Sequence, residues 1–296
     1  MPSNAPPTEE PQGLRVSAVL VSFNQADSLR RAIRALEQSK NRSQLEILVA
    51  DCGSQDGSQA IDTEFPAVNM LRLPHHVGAV RAMNIATRTA KADLLFYLSP
   101  SVEVEPGTVS ALADRLDADR SAVAACPLLL DPQGAPATRL YRLPDRAAMA
   151  AAAKGGQLAQ VQPDVSQEAV AVDYPSLDAL MIRKQFVRGM NYFDQRYGHH
   201  WADADLAMQV RGAGKKMYLH PGIRAVRHPE EDPLQNQSVA ASDRAVGAIA
   251  FVGKYEGAWP ALILRLGLAL GALGRLDFSR FSALAGGQKL DGSQGG

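Results

Sequence analysis

Between residues 16 and 130 the chain alternates short, unbroken apolar runs with longer segments of helical periodicity, and that alternation restricts what it can fold into. The runs "VSAVLV" (16–21), "LEILVAD" (45–51), "DLLFYL" (93–98) and "SAVAACPLLL" (121–130) are short and lack polar alternation, as strands covered on both faces do. "NMLRLP" (69–74) adds a shorter strand. Between them, "DSLRRAIRALEQS" sets Leu29, Ala32, Ile33 and Leu36 on one helical face, with Asp27 as its expected N-cap. "GAVRAMNIATRTA" and "EPGTVSALADRL" also read as helices, the second with Pro106 near its first turn. Strands alternating with helices predict an α/β fold with a largely parallel sheet.

The pattern fails from about Leu143 to Ala169, where "AAMAAAAKGGQLAQVQPDVSQ" reads as an irregular loop with one weak helix. Order resumes at "AVDYPSLDALMIR". A helix then carries Leu206 and Val210 on one face until Gly212 and Gly214 stop it, and strands "KMYLH" and "IRAVRH" follow. Residues 238–275 read as two helices joined near Gly257–Pro260. The expected division is a disordered tail over 1–13, an α/β domain over 14–230 and a C-terminal helical segment over 231–296. In that segment "GAWPALILRLGLALGALGRL" is the most apolar stretch of the chain, interrupted by Arg265. A membrane span needs about 20 apolar residues, so packing, or reversible contact with a membrane surface, is expected rather than spanning.

Lys and Arg number 31 and Asp and Glu 31, so the balance gives no argument for nucleic acid, and none is expected as a partner. Two cysteines, Cys52 and Cys126, make neither a disulfide framework nor a zinc site, which suits a reduced, cytoplasmic chain.

Ligands of open α/β sheets bind beyond the carboxyl ends of the strands. Three polar groups fall there: Ser22 to Asn24, Asp51 with Gly53, and Ser99 to Ser101. No G-x-G-x-x-G opens a helix after Asp51, which sets aside a dinucleotide fingerprint. Asp51 suits a hydrogen bond from a base or ribose, and equally suits turn chemistry with Ser54 and Asp56. In "WADADLAMQ", Asp203 and Asp205 suit a helix start, as N-cap and first-turn acid, and Asp203 also suits a general base. His228 ends a strand, where it would complete a metal site only with acids beside it. His199 and His200 carry no assignment.

Taken in order, "VLVSFNQADSLRRAIRAL", "LEILVADCGSQDGS", "VGAVRAMNIA", "LLFYLSPSVEVEPGTV" and "FDQRYGHHWADADLAMQVRGAGKKMYLHPGIRAVRH" resemble family 2 glycosyltransferases, in the rhamnosyltransferase-like branch. The resemblance runs from Val16 to His228 and implies a GT-A fold. It implies a nucleotide-sugar donor, inverting transfer to a hydroxyl of a glycan or lipid-linked acceptor, and a place in cell-surface polysaccharide synthesis at the inner face of the membrane. It assigns nucleotide-sugar binding to Ser22, Phe23, Asn24, Asp51, Gly53, Gly78, Arg81, Ser99 and Ser101, with Arg81 near the diphosphate. Asp203 matches the catalytic base, and His228 a position that helps to hold manganese or magnesium.

The departures from the family pattern gather at one place. The D-x-D-type strand end is Ser99-Pro100-Ser101, and serine hydroxyls are poor ligands for hard dications. Glu103 would reach the same side only if the strand continues. Ala202 stands where a Glu is usual before the catalytic Asp, and Leu177 replaces a glycine next to the acceptor site. Two expectations follow: a transferase whose donor binding depends weakly on metal, or a degenerate one that binds a nucleotide, glycan or partner without turnover.

Overall fold

The computed structural model describes residues 13–229 and 237–286. The expected tail, apart from Gly13, and the boundary at 230–231 lie outside these. Four strands run parallel in the order β3-β2-β1-β4: β1 (Val16–Ser22), β2 (Leu45–Asp51), β3 (Val68–Arg72) and β4 (Leu94–Leu98). The sheet goes on through β5 (Val102–Val104), β6 (Ala122–Leu130), β8 (Val170–Val172), β10 (Ala179–Arg183) and β11 (Lys216–Arg227). Among the described residues it has nine strands. β10 lies antiparallel between β4 and β6, and β11 runs parallel to β6. A ribbon of β7 (Leu140–Tyr141) and β9 (Tyr174–Pro175) stands apart. The two strands expected from 216 to 228 are one, because β11 keeps pairing with β6 across a register shift between His220 and Arg224.

The helices α1 (Ala26–Glu37), α2 (Ile61–Glu64), α3 (Ala79–Thr89), α4 (Thr108–Ala118) and α5 (Arg146–Ala153) fall in the first half. α6 (Lys184–Gly189), α7 (Ala202–Gly212), α8 (Gln237–Tyr255), α9 (Ala258–Gly274) and α10 (Phe278–Gly286) complete the set. One face of the sheet packs Val16, Leu20 and Phe96 against Leu29, Ile33 and Leu36 of α1 and Leu112 and Leu116 of α4. The other packs Val19, Leu95 and Tyr97 against α3, α7 and α8, through Met83, Leu206 and Phe251 among others. Burial on both faces is why the strands read as continuous apolar runs.

Two expected caps differ. Gln25 is the N-cap of α1, and the Ala26 N–H donates to Asp56 Oδ2 (2.8 Å) from the next strand's turn, leaving Asp27 exposed in the first turn. At α7 the N-cap is Trp201, in the left-handed region (φ 77°), so Asp203 sits within the first turn. A cap supplied from elsewhere in the fold satisfies the same orphan amide as a local one.

Candidate active site at the carboxyl edge of the sheet

Three groups of polar side chains meet the carboxyl ends of β1, β2 and β4. The first joins the β1 and β2 turns. Asn24, in the left-handed region (φ 50°), accepts the Gln55 N–H at 2.8 Å and donates its own N–H to Ser54 Oγ at 2.9 Å. The Ser54 hydroxyl in turn donates to Asp51 Oδ1 at 2.5 Å. Asp51 is buried, so the turn account holds for one of its oxygens. Ser22 Oγ is buried with no hydrogen-bond partner among the described residues, a polar atom whose isolation is costly. Gly53 (φ 77°) leaves no room for a side chain, because a Cβ would stand 2.9 Å from the His75 backbone.

Around this turn lie Phe23 and two imidazoles, His76 and His199, to which sequence reasoning gave no role. Phe23 meets His76 edge-on (4.7 Å between centroids), and His76 stacks on His199 (5.1 Å). The Gly78 N–H donates to His76 Nδ1 at 3.2 Å at the start of α3. Burial pushes both imidazoles down, His199 to about 3, so they stay neutral. Arg81 is exposed in the first turn of α3 and makes no ion pair among the described residues.

The second group is the turn after β4. Ser99 Oγ and Ser101 Oγ bond each other at 2.8 Å, and Ser101 is buried. The strand does resume, as β5, but Glu103 pairs with His228 Nε2 at 2.8 Å. His228, the expected metal ligand, is thus held by one acid, and no three His, Cys, Asp or Glu among the described residues group around a metal position. Two mutually bonded hydroxyls and one paired acid do not fit a tightly held magnesium or manganese ion.

The third group surrounds Asp203. This carboxylate is partly buried in the first turn of α7, accepts the Ala204 N–H at 2.9 Å and is hydrogen-bonded by the Tyr174 hydroxyl of β9. Burial raises its pKa above 3.8 and nearby Asp178 adds to this, while the Tyr174 bond pulls it back. Tyr174 itself is pushed well above its ordinary value, by burial and then by Asp203, so it stays a donor.

Asp178, which the sequence did not single out, is the buried carboxylate between these groups. Arg139 grips it through Nε to Oδ2 and Nη2 to Oδ1, both at 2.8 Å, and the Ser176 hydroxyl donates at 2.7 Å. Arg227 Nε lies 3.5 Å from Oδ2. The sequence signal was present: an acid entering a fully apolar strand, "DALMI", demands a cationic partner. Leu177 packs against the same core that α7 joins.

With this geometry in hand, comparison decides the class. The family model for glycosyl transferase family 2 matches residues 17–166, just over half of the chain. The chain belongs to that family. It is similar to the N-acetylglucosaminyl-diphospho-decaprenol L-rhamnosyltransferase of Mycobacterium tuberculosis, 27% identical over 285 residues, covering 85% of this chain and 90% of the relative. The uncharacterized glycosyltransferase YfnE of Bacillus subtilis matches over 88 residues at 26% identity, 28% of this chain and 22% of that protein. Among solved structures, GalNAc-T7 with UDP, GalNAc and Mn2+ superposes with a TM-score of 0.63 at 14% identity. The match covers 94% of this chain and 57% of that one, and it establishes the GT-A fold. Family and fold thus agree with what the resemblance implied.

Proposed function

We propose that the chain is an inverting glycosyltransferase in which Asp203 deprotonates an acceptor hydroxyl. The acceptor oxygen forms its bond to the donor's anomeric carbon as the bond from that carbon to the diphosphate oxygen breaks. The electron pair leaves on the diphosphate, and the acceptor proton passes to Asp203. The observation that carries this reading is the environment of Asp203: a raised pKa strengthens it as a base, and two hydrogen bonds keep it oriented. The donor's nucleoside is assigned to the turn of Ser22, Phe23, Asn24, Asp51 and Gly53, with Gly78 at the start of α3. The relative's name supports a rhamnosyl donor and a polyprenyl-diphosphate-linked acceptor.

A lipid-linked acceptor is consistent with the outward face of α9, where Trp259, Ile263, Leu266 and Leu270 are exposed beside Arg265 and Arg275. Among the described residues no helix is long and apolar enough to cross a membrane, and we read this face as resting on a lipid surface at the cytoplasmic side. The competing reading, a nucleotide-binding module without turnover, draws on the Ser99–Ser101 pair that has closed on itself. Asp203→Asn separates them. Transfer should fall by about 10²- to 10⁴-fold while nucleotide affinity is kept. Transfer at the wild-type rate would remove Asp203 from its role, and nucleotide binding without turnover in the wild type would favour the module.

A further inference from the structure

The ribbon of β7 and β9 turns one face toward the carboxylates, and one side chain on that face is left open. Leu140 pairs with Pro175 and Tyr141 with Tyr174, and the Ser176 N–H donates to the Arg139 carbonyl at 3.0 Å, so the pairing reaches back to Arg139. Directly paired and alternate residues share a face, which places Arg139, Tyr141, Tyr174 and Ser176 together. Three of them engage acids: Tyr174 bonds Asp203, and Arg139 and Ser176 bond Asp178. Tyr141 is the fourth. It is partly exposed, and its hydroxyl has no hydrogen-bond partner among the described residues and is not sealed from solvent.

We infer that the Tyr141 hydroxyl is an acceptor subsite, which holds the acceptor's saccharide by a hydrogen bond so that the attacking hydroxyl meets Asp203. The inference rests on the transferase reading above and deepens it.

Three features argue for it. Tyr141 packs on the central core and meets the Tyr174 ring at 5.0 Å between centroids, so its phenol is anchored at the ring and open at the hydroxyl. A tyrosine held in this way offers a polar contact at little cost in conformational freedom. Next, burial raises the pKa of this phenol, and the charges of Asp203 and Asp178 add to that against Arg139 and Arg227, so it keeps its proton. A protonated phenol both donates and accepts, which suits pairing with a sugar hydroxyl. Finally, the residue that orients the proposed base is the direct cross-strand partner of Tyr141. A base contributes only when the attacking oxygen lies within hydrogen-bond reach, so a contact fixed beside it supplies orientation.

The test uses the full chain, dTDP-rhamnose or UDP-rhamnose as donor, and as acceptor an N-acetylglucosaminyl diphosphate carrying a short isoprenoid chain. Calorimetry reads acceptor binding and steady-state kinetics reads transfer. Tyr141→Phe keeps the ring and its packing. It should weaken acceptor affinity and raise the acceptor KM by roughly two- to tenfold, the net worth of one neutral hydrogen bond. The donor KM and the affinity for dTDP or UDP should stay unchanged, which also reports that the variant is folded. Unchanged acceptor affinity and KM would overturn the subsite, while transfer by the wild type would leave the transferase reading in place. A variant that loses nucleotide affinity as well would assign Tyr141 to the fold and overturn the subsite. A wild type that binds the nucleotide but not this acceptor would also overturn it. Acceptor binding that depends on Tyr141 without any transfer would keep the saccharide site and overturn the transferase reading.

Discussion

Tyr174 is the side chain through which the proposed base, Asp203, can be tuned without being replaced. Its hydroxyl donates to Asp203 and lowers that carboxylate's pKa, against burial and Asp178, which raise it. A base works only when ionised, so the rate should rise with pH through the pKa of Asp203, on a limb displaced above 3.8. Tyr174→Phe removes a side chain that favours the charged form, so the acid limb of kcat/KM should move to still higher pH. The plateau above it should change little. A limb that stays put, or moves to lower pH, would mean that Asp203 is not the titrating base. Asp203 and Asp51 stood out in the sequence as candidates through the order of motifs around them. Asp178 carried a signal, an acid entering an apolar strand, but its partner could not be read, because Arg139 lies 39 residues away in the sequence. Only the folded chain brings those charges together. Ser99 and Ser101 could be read as poor ligands from their chemistry alone; that they would bond each other could not.

At the level of elements, α8 fixes the segment that carries the proposed base. Asp205, two residues beyond Asp203, is completely buried and accepts both Lys254 Nζ (2.7 and 2.9 Å) and the Tyr255 hydroxyl (2.6 Å) from the end of α8. Upstream, the His199 N–H donates to Asp243, and Trp201 Nε1 donates to the Arg244 carbonyl at 2.8 Å. Gly198 leaves room there for the Asp243 carboxylate, which a Cβ would displace. The sequence showed two C-terminal helices but grouped both with a tail. Helical periodicity tells which face of α8 is apolar, not that α5 and α9 receive it. Lys254→Met keeps the length of the side chain and strands a buried carboxylate, so stability should fall by about 3 kcal/mol. Urea unfolding would read this as a lower midpoint at constant slope. An unchanged midpoint would mean that Tyr255 and solvent satisfy Asp205 alone.

Across the whole molecule, α8 and α9 share an origin in the sequence but not an environment. α8 contributes Ala245, Ala248, Phe251 and Val252 to the central core, whereas α9 buries only Leu268, Ala269 and Ala272. Its other face leaves Trp259 77%, Ile263 68% and Leu270 66% exposed. Isolated exposed apolar residues are ordinary, but a continuous stripe along one helix marks a surface that something covers. Arg265 and Arg275 fit anionic head groups, and a lipid-linked acceptor would have its diphosphate at such a surface. The apolar run itself was plain in the sequence, yet which of its residues face outward depends on how α9 seats on α8. Each large side chain buried in an interface contributes roughly 1.5–3 kcal/mol. Replacing Trp259, Ile263 and Leu270 together with Glu should therefore weaken binding to anionic vesicles by at least roughly a hundredfold. Nucleotide affinity should be unaffected, because these positions lie outside the core. Flotation with phosphatidylglycerol vesicles reads the first effect and calorimetry the second. If wild type and variant partition alike, lipid is not what covers the stripe. If the variant loses nucleotide binding as well, α9 supports the fold rather than the membrane contact.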